Sequence, residues 1–402
     1  MRKARTGAGY ILAPVRRYPK MIKRNLVISI LFLVLLPLFT RAQVVVTVTN
    51  PLNADRIAET VQVSGPELLR LLPTDDARKI HVAEAGGSEL VVQALDLSGD
   101  GVMDQLLFQS NFKPLEAKKF TVTLGELQHL TKEQFKAYGR FVRERFDDFA
   151  WENDRVAHRM YGPALETWLR EPLTSSTVDI WCKRVRKLVI NDWYMVDNYH
   201  TDTGEGADFY SAGKSRGCGG SGIWEGGKLY VSKNFMNSRV LANGPIRVVF
   251  ELDYGAWMVN GRRIAETKRI SLDAGSNLSR FESYYLTAGP EELSIAAGIK
   301  KNPGSTVQVR KSEGWLRTWE PIKDNGNVGC GLVADPASVI ESTQDDLNQL
   351  LVIRAGAGTP VSYYAGFGWD KSGDFAGVEA WEAYLSRFAA GLKSPLKIVI
   401  SQ

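Results

Sequence analysis

Three runs rich in β-branched or aromatic residues decide the fold: Ile246-Arg-Val-Val-Phe-Glu-Leu252, Ile264-Ala-Glu-Thr-Lys-Arg-Ile-Ser-Leu272 and Leu278-Ser-Arg-Phe-Glu-Ser-Tyr-Tyr-Leu286. Turn signals stand around them at Asn243-Gly-Pro245, Val259-Asn-Gly261 and Asp273-Ala-Gly275. Strands joined by tight turns, with no helix between them, form antiparallel sheets. Working outward, Leu229–Phe235 and Leu351–Tyr364 read as further strands, and Leu396–Ile400 as a closing one. Val378–Phe388 has helical spacing. The region 149–402 is therefore expected to be a large antiparallel all-β domain.

Upstream, Gln43–Asn50, Arg56–Val63, Glu89–Leu95, Gln105–Phe108 and Lys119–Leu124 are strand-like, so residues 43–125 read as a small N-terminal β-sandwich. Between them, residues 126–148 read as a linker or short helix. Phe135, Tyr138, Phe141 and Val142 have helical spacing there, and Thr131 with Gln134 makes a capping box. Asp96, Ser98, Asp100, Gly101 and Asp104 imitate a calcium loop. The twelfth position, which needs a bidentate Glu, holds Leu107, so the segment reads as a hairpin turn and calcium at Asp96, Asp100 and Asp104 is the weaker alternative.

Residues 1–42 read as a leader. Met21-Ile-Lys-Arg24 is a basic start, Leu26–Phe39 an apolar run too short to span a bilayer comfortably, and Ala42 a cleavage position. Met21 is the expected start. This pattern places the mature protein in the periplasm or outside the cell, free of the membrane once the leader is cut. The leader holds nine basic and no acidic side chains. Of 50 basic and 45 acidic residues, the rest keeps 41 and 45, a formal net of −4. Bulk charge thus offers no case for nucleic acid. Cys182, Cys218 and Cys330 contain no CxxC, and an exported chain permits one disulfide or three free thiols. The four histidines, His81, His129, His158 and His200, form no HxH or HxxxH pair, so no metal site is read.

Two stretches carry chemistry. The first, Asp197–Trp224, has seven glycines between Gly204 and Gly222, interleaved with His200, Asp202, Glu205, Asp208, Tyr210, Lys214, Arg216 and Cys218. A long glycine-rich loop anchored by aromatics reads as functional. The second is Trp151-Glu-Asn-Asp-Arg-Val-Ala-His-Arg-Met-Tyr161. As a single strand it would put Trp151, Asn153, Arg155, Arg159 and Tyr161 on one face. Glu152, Asp154, His158 and Met160 would lie on the other.

Four segments are similar to a known family: Phe149–Pro163, Tyr199–Gly213, Gly217–Gly220 and Leu241-Ala-Asn-Gly-Pro245. They resemble DUF4861, a family of exported proteins from Bacteroidetes gene clusters for polysaccharide breakdown. The resemblance covers nearly the whole mature chain. It implies a galactose-mutarotase-like β-supersandwich for the large domain and a carbohydrate substrate. A fold hosts many chemistries, so it does not imply a reaction.

The residues suit β-elimination or a related proton transfer on a uronic-acid glycan. That chemistry needs a cation or amide for the carboxylate, a base at C5 and an acid for the leaving oxygen. Arg155, Arg159 and Asn153 suit the first, His200 or Tyr161 the second, Tyr210 or Tyr199 the third. Lys214 and Arg216 offer a second anionic subsite, Asp202 or Asp208 fixes the His200 tautomer, and Trp224 offers a stacking face. Paired carboxylates, Glu152 with Asp154 or Asp202 with Asp208, would instead serve a hydrolase or mutarotase. A non-catalytic glycan binder would need only the aromatics. In each case the expected partner is an acidic oligosaccharide or polysaccharide, and the expected cleft is built from the 151–161 strand and the 197–224 loop.

Overall fold

A computed structural model describes residues 43–169, 173–196, 199–288, 292–356 and 358–402. The expected leader, and Asp197 and Asn198 of the glycine-rich stretch, lie outside the described residues. The chain is all-β, and its sheets are antiparallel. The deciding runs become Arg247–Val259, Arg262–Asp273 and Leu278–Leu286, paired in sequence order. They belong to an eight-stranded sheet that continues through Val361–Trp369, Asn327–Val333, Trp315–Pro321 and Thr306–Arg310. A five-stranded sheet opposes it, with Cys218–Glu225, Leu293–Lys300 and Asn348–Ala355 at its centre. Phe250, Ile270, Phe281, Ile295, Leu351 and Tyr363 fill the space between. This is the sandwich expected of an antiparallel chain whose strands bury one face.

The N-terminal strands form two smaller layers. Gln43–Thr49, Ala117–Leu124 and Ile80–Glu84 face Arg56–Ser64, Gln105–Phe112 and Val92–Leu95. They enclose Val44, Val46, Val61, Phe108, Phe120 and Val122. The C-terminal strand Lys397–Ser401 pairs with Gln43–Thr49, so the last strand closes the sheet of the first.

Three local readings are corrected. For residues 126–148, of the linker and short-helix alternatives, no α-helix forms. A single 3-10 turn at Lys132–Gln134 leads into the strand Ala137–Val142. Pairing with Asp148–Asn153 overrides the spacing and leaves Phe141 exposed. Secondly, the glycine-rich stretch is not loop throughout. Cys218–Glu225 is a strand, invisible in propensity because its glycines lack side chains. Thirdly, Leu229–Phe235 is broken, with strands at Lys228–Tyr230 and Phe235–Ala242.

The Asp96 segment is a hairpin turn between paired strands. Its carboxylates accept backbone N–H groups: Asp96 from Gly99 and Gly101 (2.7 and 2.8 Å), Asp100 from Val102 (2.8 Å), Asp104 from Leu97 and Ser98 (2.6 and 3.0 Å). Among the described residues no group of three or more His, Cys, Asp and Glu is disposed to hold a metal ion. The three cysteines are buried free thiols. No described helix is long and apolar enough to cross a membrane.

Candidate active site

A third sheet of five strands positions the site. Ala137–Val142, Asp148–Asn153, Ala157–Met160, Asp179–Lys183 and Gly206–Ala207 lie side by side. The second chemical stretch is not one strand. Asn153 turns it, its Oδ1 accepting from the N–H of Arg155 (2.7 Å) and Val156 (2.9 Å). The resulting hairpin sets Ala157 opposite Glu152 and Arg159 opposite Ala150. Directly paired residues share a face. So Asp148, Glu152 and Arg159 face one way, and Trp151, Asn153 and His158 the other. Counting along an unbroken strand had put Asn153 with Arg159. The turn reverses that.

Arg159 is the centre. It is 3 % exposed, and each of its three guanidinium nitrogens donates a hydrogen bond. Its Nε donates to Asp179 Oδ2 (2.8 Å), its Nη2 to Asp208 Oδ2 (2.7 Å) and its Nη1 to the Tyr199 hydroxyl (3.2 Å). Asp148 Oδ2 lies 3.6 Å from Nη1. The rings of Tyr161, Trp181 and Tyr199 surround it at 5.4–5.5 Å. Tyr161 donates to the same Asp179 oxygen at 2.6 Å. His200 Nδ1 lies 3.1 Å from the Asp208 carbonyl and 3.3 Å from its Oδ2. Two acceptors at Nδ1 place the proton there and leave Nε2 as the basic atom. The His200 side chain is 60 % exposed, whereas Asp208 is buried.

These contacts form one chain: Tyr161, Asp179, Arg159, Asp208, His200. They wall a hollow of about 290 Å³ that Arg145, Phe209, Tyr210, Ser211 and Ala212 complete. The hairpin and the loop thus meet in one sugar-sized space. The loop is shaped for this by Asp202, which accepts from Gly204 and Gly206 (2.8 and 3.1 Å) and pairs with Arg184. At Gly206, φ is +104°, and a Cβ would sit 2.0 Å from the Cys182 carbonyl oxygen. The Asp208 N–H then returns to the Tyr199 carbonyl at 2.9 Å.

Burial dominates the titration. It raises the Asp148 carboxyl to about 6, against the pull of Arg159 and Arg145. It lifts Asp208 well above the carboxylate range, with the neighbouring Asp179 charge adding to the rise. Burial likewise raises the Tyr161 and Tyr210 phenols, and the Cys330 and Cys218 thiols and Glu320 add to it at Tyr210. Tyr210 therefore lines the hollow while its hydroxyl belongs to the interior.

The other candidates lie elsewhere. Glu152 pairs with Lys183 (2.7 Å) and accepts the N–H groups of Val189 and Ile190. Asn153 also donates to the Asp273 and Ser276 carbonyls. Arg155 joins Arg186 on Asp374. Lys214 is exposed, and Arg216 is buried against the Ser175 hydroxyl and the Ser176 and Lys214 carbonyls, so the two form no subsite at the hollow. Trp224 bonds Glu341 and packs on Leu350 and Val352, on the outer face of the five-stranded sheet. Arg145, Asp148 and Asp179 were missed. A lone acid inside the apolar run Val178-Asp-Ile-Trp181 was the available signal for Asp179. Arg145, in a charged run, gave none.

Comparison with known proteins places these features in context. The family described as a domain of unknown function, DUF4861, matches residues 48–398. A protein of Formosa agariphila named "Uncharacterized protein P7" is 33% identical over 371 residues, covering 88% of this chain and 93% of its own. Among solved structures, an alpha-mannosidase from Enterococcus faecalis V583 is 9% identical, with a TM-score of 0.48, over 90% of this chain and 46% of its own. A protein in glycosyl hydrolase family 38 from Enterococcus faecalis is 10% identical, with a TM-score of 0.51, over 90% of this chain and 48% of its own. The chain spans about half the length of those two structures, and the second likeness is one of fold.

Proposed function

We propose that this chain, which belongs to the DUF4861 family, is an exported carbohydrate-active enzyme that moves protons on a uronic-acid oligosaccharide in the hollow around Arg159. The carrying observation is the hydrogen-bonded chain from Tyr161 to His200, an acid at one end and a base at the other, with one guanidinium between. Export rests on the apolar run Leu26–Phe39.

The reaction we favour is β-elimination. Arg159 directs three of its five N–H donors to Asp179, Asp208 and Tyr199, so its part is to position the acid and base. Arg145 takes the carboxylate instead. It lines the hollow, with one donor on the Tyr199 hydroxyl. Neutralising the carboxylate makes the C5 proton removable. His200 Nε2 takes that proton, and the electron pair forms the C4–C5 double bond as the C4–O bond breaks. Tyr161 gives its proton to the leaving oxygen, and Asp179 and Arg159 hold the hydroxyl in place.

A second reading is hydrolysis or mutarotation, favoured by Asp179 and Asp208 both lining the hollow. The glycosyl hydrolase family 38 protein with a similar fold supports carbohydrate as the substrate class. A panel of uronic-acid oligosaccharides separates the readings by mass spectrometry. Elimination yields an unsaturated product with no water added, and hydrolysis yields a mass gain of water. No change of mass in any substrate sinks elimination and hydrolysis. Mutarotation conserves mass and is read from the rate of anomeric equilibration by NMR, and an unaltered rate leaves a glycan binder. In the active case His200→Ala lowers turnover by about 10²–10⁴-fold. Its melting temperature should hold, because the side chain is largely exposed. Full activity in that variant would remove His200 as the base.

A further inference from the structure

Beside the hollow, Phe146 stands in a left-handed backbone conformation, φ +55°. Bulky side chains rarely adopt it, and such strain persists where something other than stability requires it. The ring is not used to fill the core. The residue is 53 % exposed. It leans on Trp168, with centroids 5.6 Å apart and planes at 54°. Trp168 in turn packs on Tyr161, Leu165 and Leu173. The Arg145 guanidinium lies over the Trp168 ring at 5.5 Å. Arg145 and Tyr161 both line the hollow, so the aromatic pair continues its wall outward.

From this arrangement we infer that Phe146 and Trp168 form a second sugar subsite, which carries the neighbouring pyranose of the glycan held in the hollow. This deepens the proposed function and rests on it. The apolar C–H face of a pyranose stacks on an aromatic ring, and ring faces desolvate it at small entropic cost. The Arg145 guanidinium, placed between the two subsites, reaches the carboxylate of the sugar in the hollow while its flat face stays on Trp168. The substrate is therefore a chain of at least two sugars. A free uronic acid would engage the hollow alone.

Calorimetric titration of galacturonate, glucuronate and mannuronate, each as monomer and tetramer, tests this with the full chain. The parent should bind one tetramer more tightly than its monomer. Phe146→Ala should weaken that tetramer roughly tenfold, about 1.4 kcal/mol, and leave the monomer within about twofold. Phe146→Tyr should keep tetramer affinity. Phe146→Gly should raise the melting temperature, because glycine accepts this φ, while losing the tetramer as Phe146→Ala does. A tetramer bound equally by parent and Phe146→Ala overturns the subsite and leaves the proposed function standing. Failure of the parent to bind any of the six probes overturns the uronate reading and the subsite with it.

Discussion

Arg159 shows why a buried cation need not be a substrate-binding one. Two carboxylates and a hydroxyl take three of its donors, and three rings lie around it. Its role is to hold Asp179 and Asp208 in register. Asp148 completes the surround at a cost, because its Oδ1 is buried without a hydrogen-bond partner. Burial holds its carboxyl at about 6 in the fold, above its ordinary unfolded value near 3.8. A raised folded value means the fold prefers the protonated form. That contribution is complete below about pH 3.8 and is lost as pH rises through about 6. Asp148→Asn cannot ionise, so its stability relative to the parent should grow between pH 4 and pH 7, by about 3 kcal/mol at most. Chemical denaturation of both proteins at the two pH values measures this. An equal difference at both would show that Asp148 ionises in the fold as freely as in the unfolded chain.

At the level of elements, the helix Val378–Lys393 is anchored by a gap in the sheet beneath it. A Cβ on Gly329, Gly331 or Gly368 would come within 2.7–2.9 Å of the Trp381 ring. The three glycines make a flat bed on neighbouring strands, and Trp381 fills it between Phe375 (5.1 Å) and Tyr384 (5.3 Å). Trp381→Ala empties that bed and should cost about 3–5 kcal/mol in denaturant unfolding. A loss under about 1 kcal/mol would mean the helix is held elsewhere. Reach in sequence decided what could be read in advance. This helix, the deciding strands and the closing strand 397–401 were legible because their signals are periodic and local. Arg159, Tyr161, His200 and Asp208 were legible as chemistry within two short segments. The turn at Asn153 was not, for it has neither Gly nor Pro and rests on one carboxamide. Nor were Asp148 and Asp179 as partners of Arg159, because register across three strands has no local signal.

Across the whole molecule, the N-terminal layers and the large sandwich have separate cores that touch through a small cluster of Leu95, Leu107, Ile246 and Val249. Gln93 is buried beside it. Its Oε1 accepts the N–H groups of Ile246 (2.9 Å) and Arg247 (2.7 Å), and its Nε2 donates to the Arg247 carbonyl (2.8 Å). Gly244 leaves it room, since a Cβ there would meet the carboxamide at 2.3 Å. One side chain thus satisfies three backbone groups at the start of a sandwich strand. The second tie is covalent order: the strand that closes the N-terminal sheet arrives from the far end of the chain. With both ties intact, calorimetry should show one unfolding transition. Gln93→Ala leaves two N–H groups and a carbonyl buried without partners, a loss of about 3 kcal/mol. That loss falls at the junction rather than in either core. The variant should therefore melt lower and split, the smaller N-terminal core going first, since it buries less apolar surface. A single transition at the parent temperature would show that the junction does not rest on Gln93.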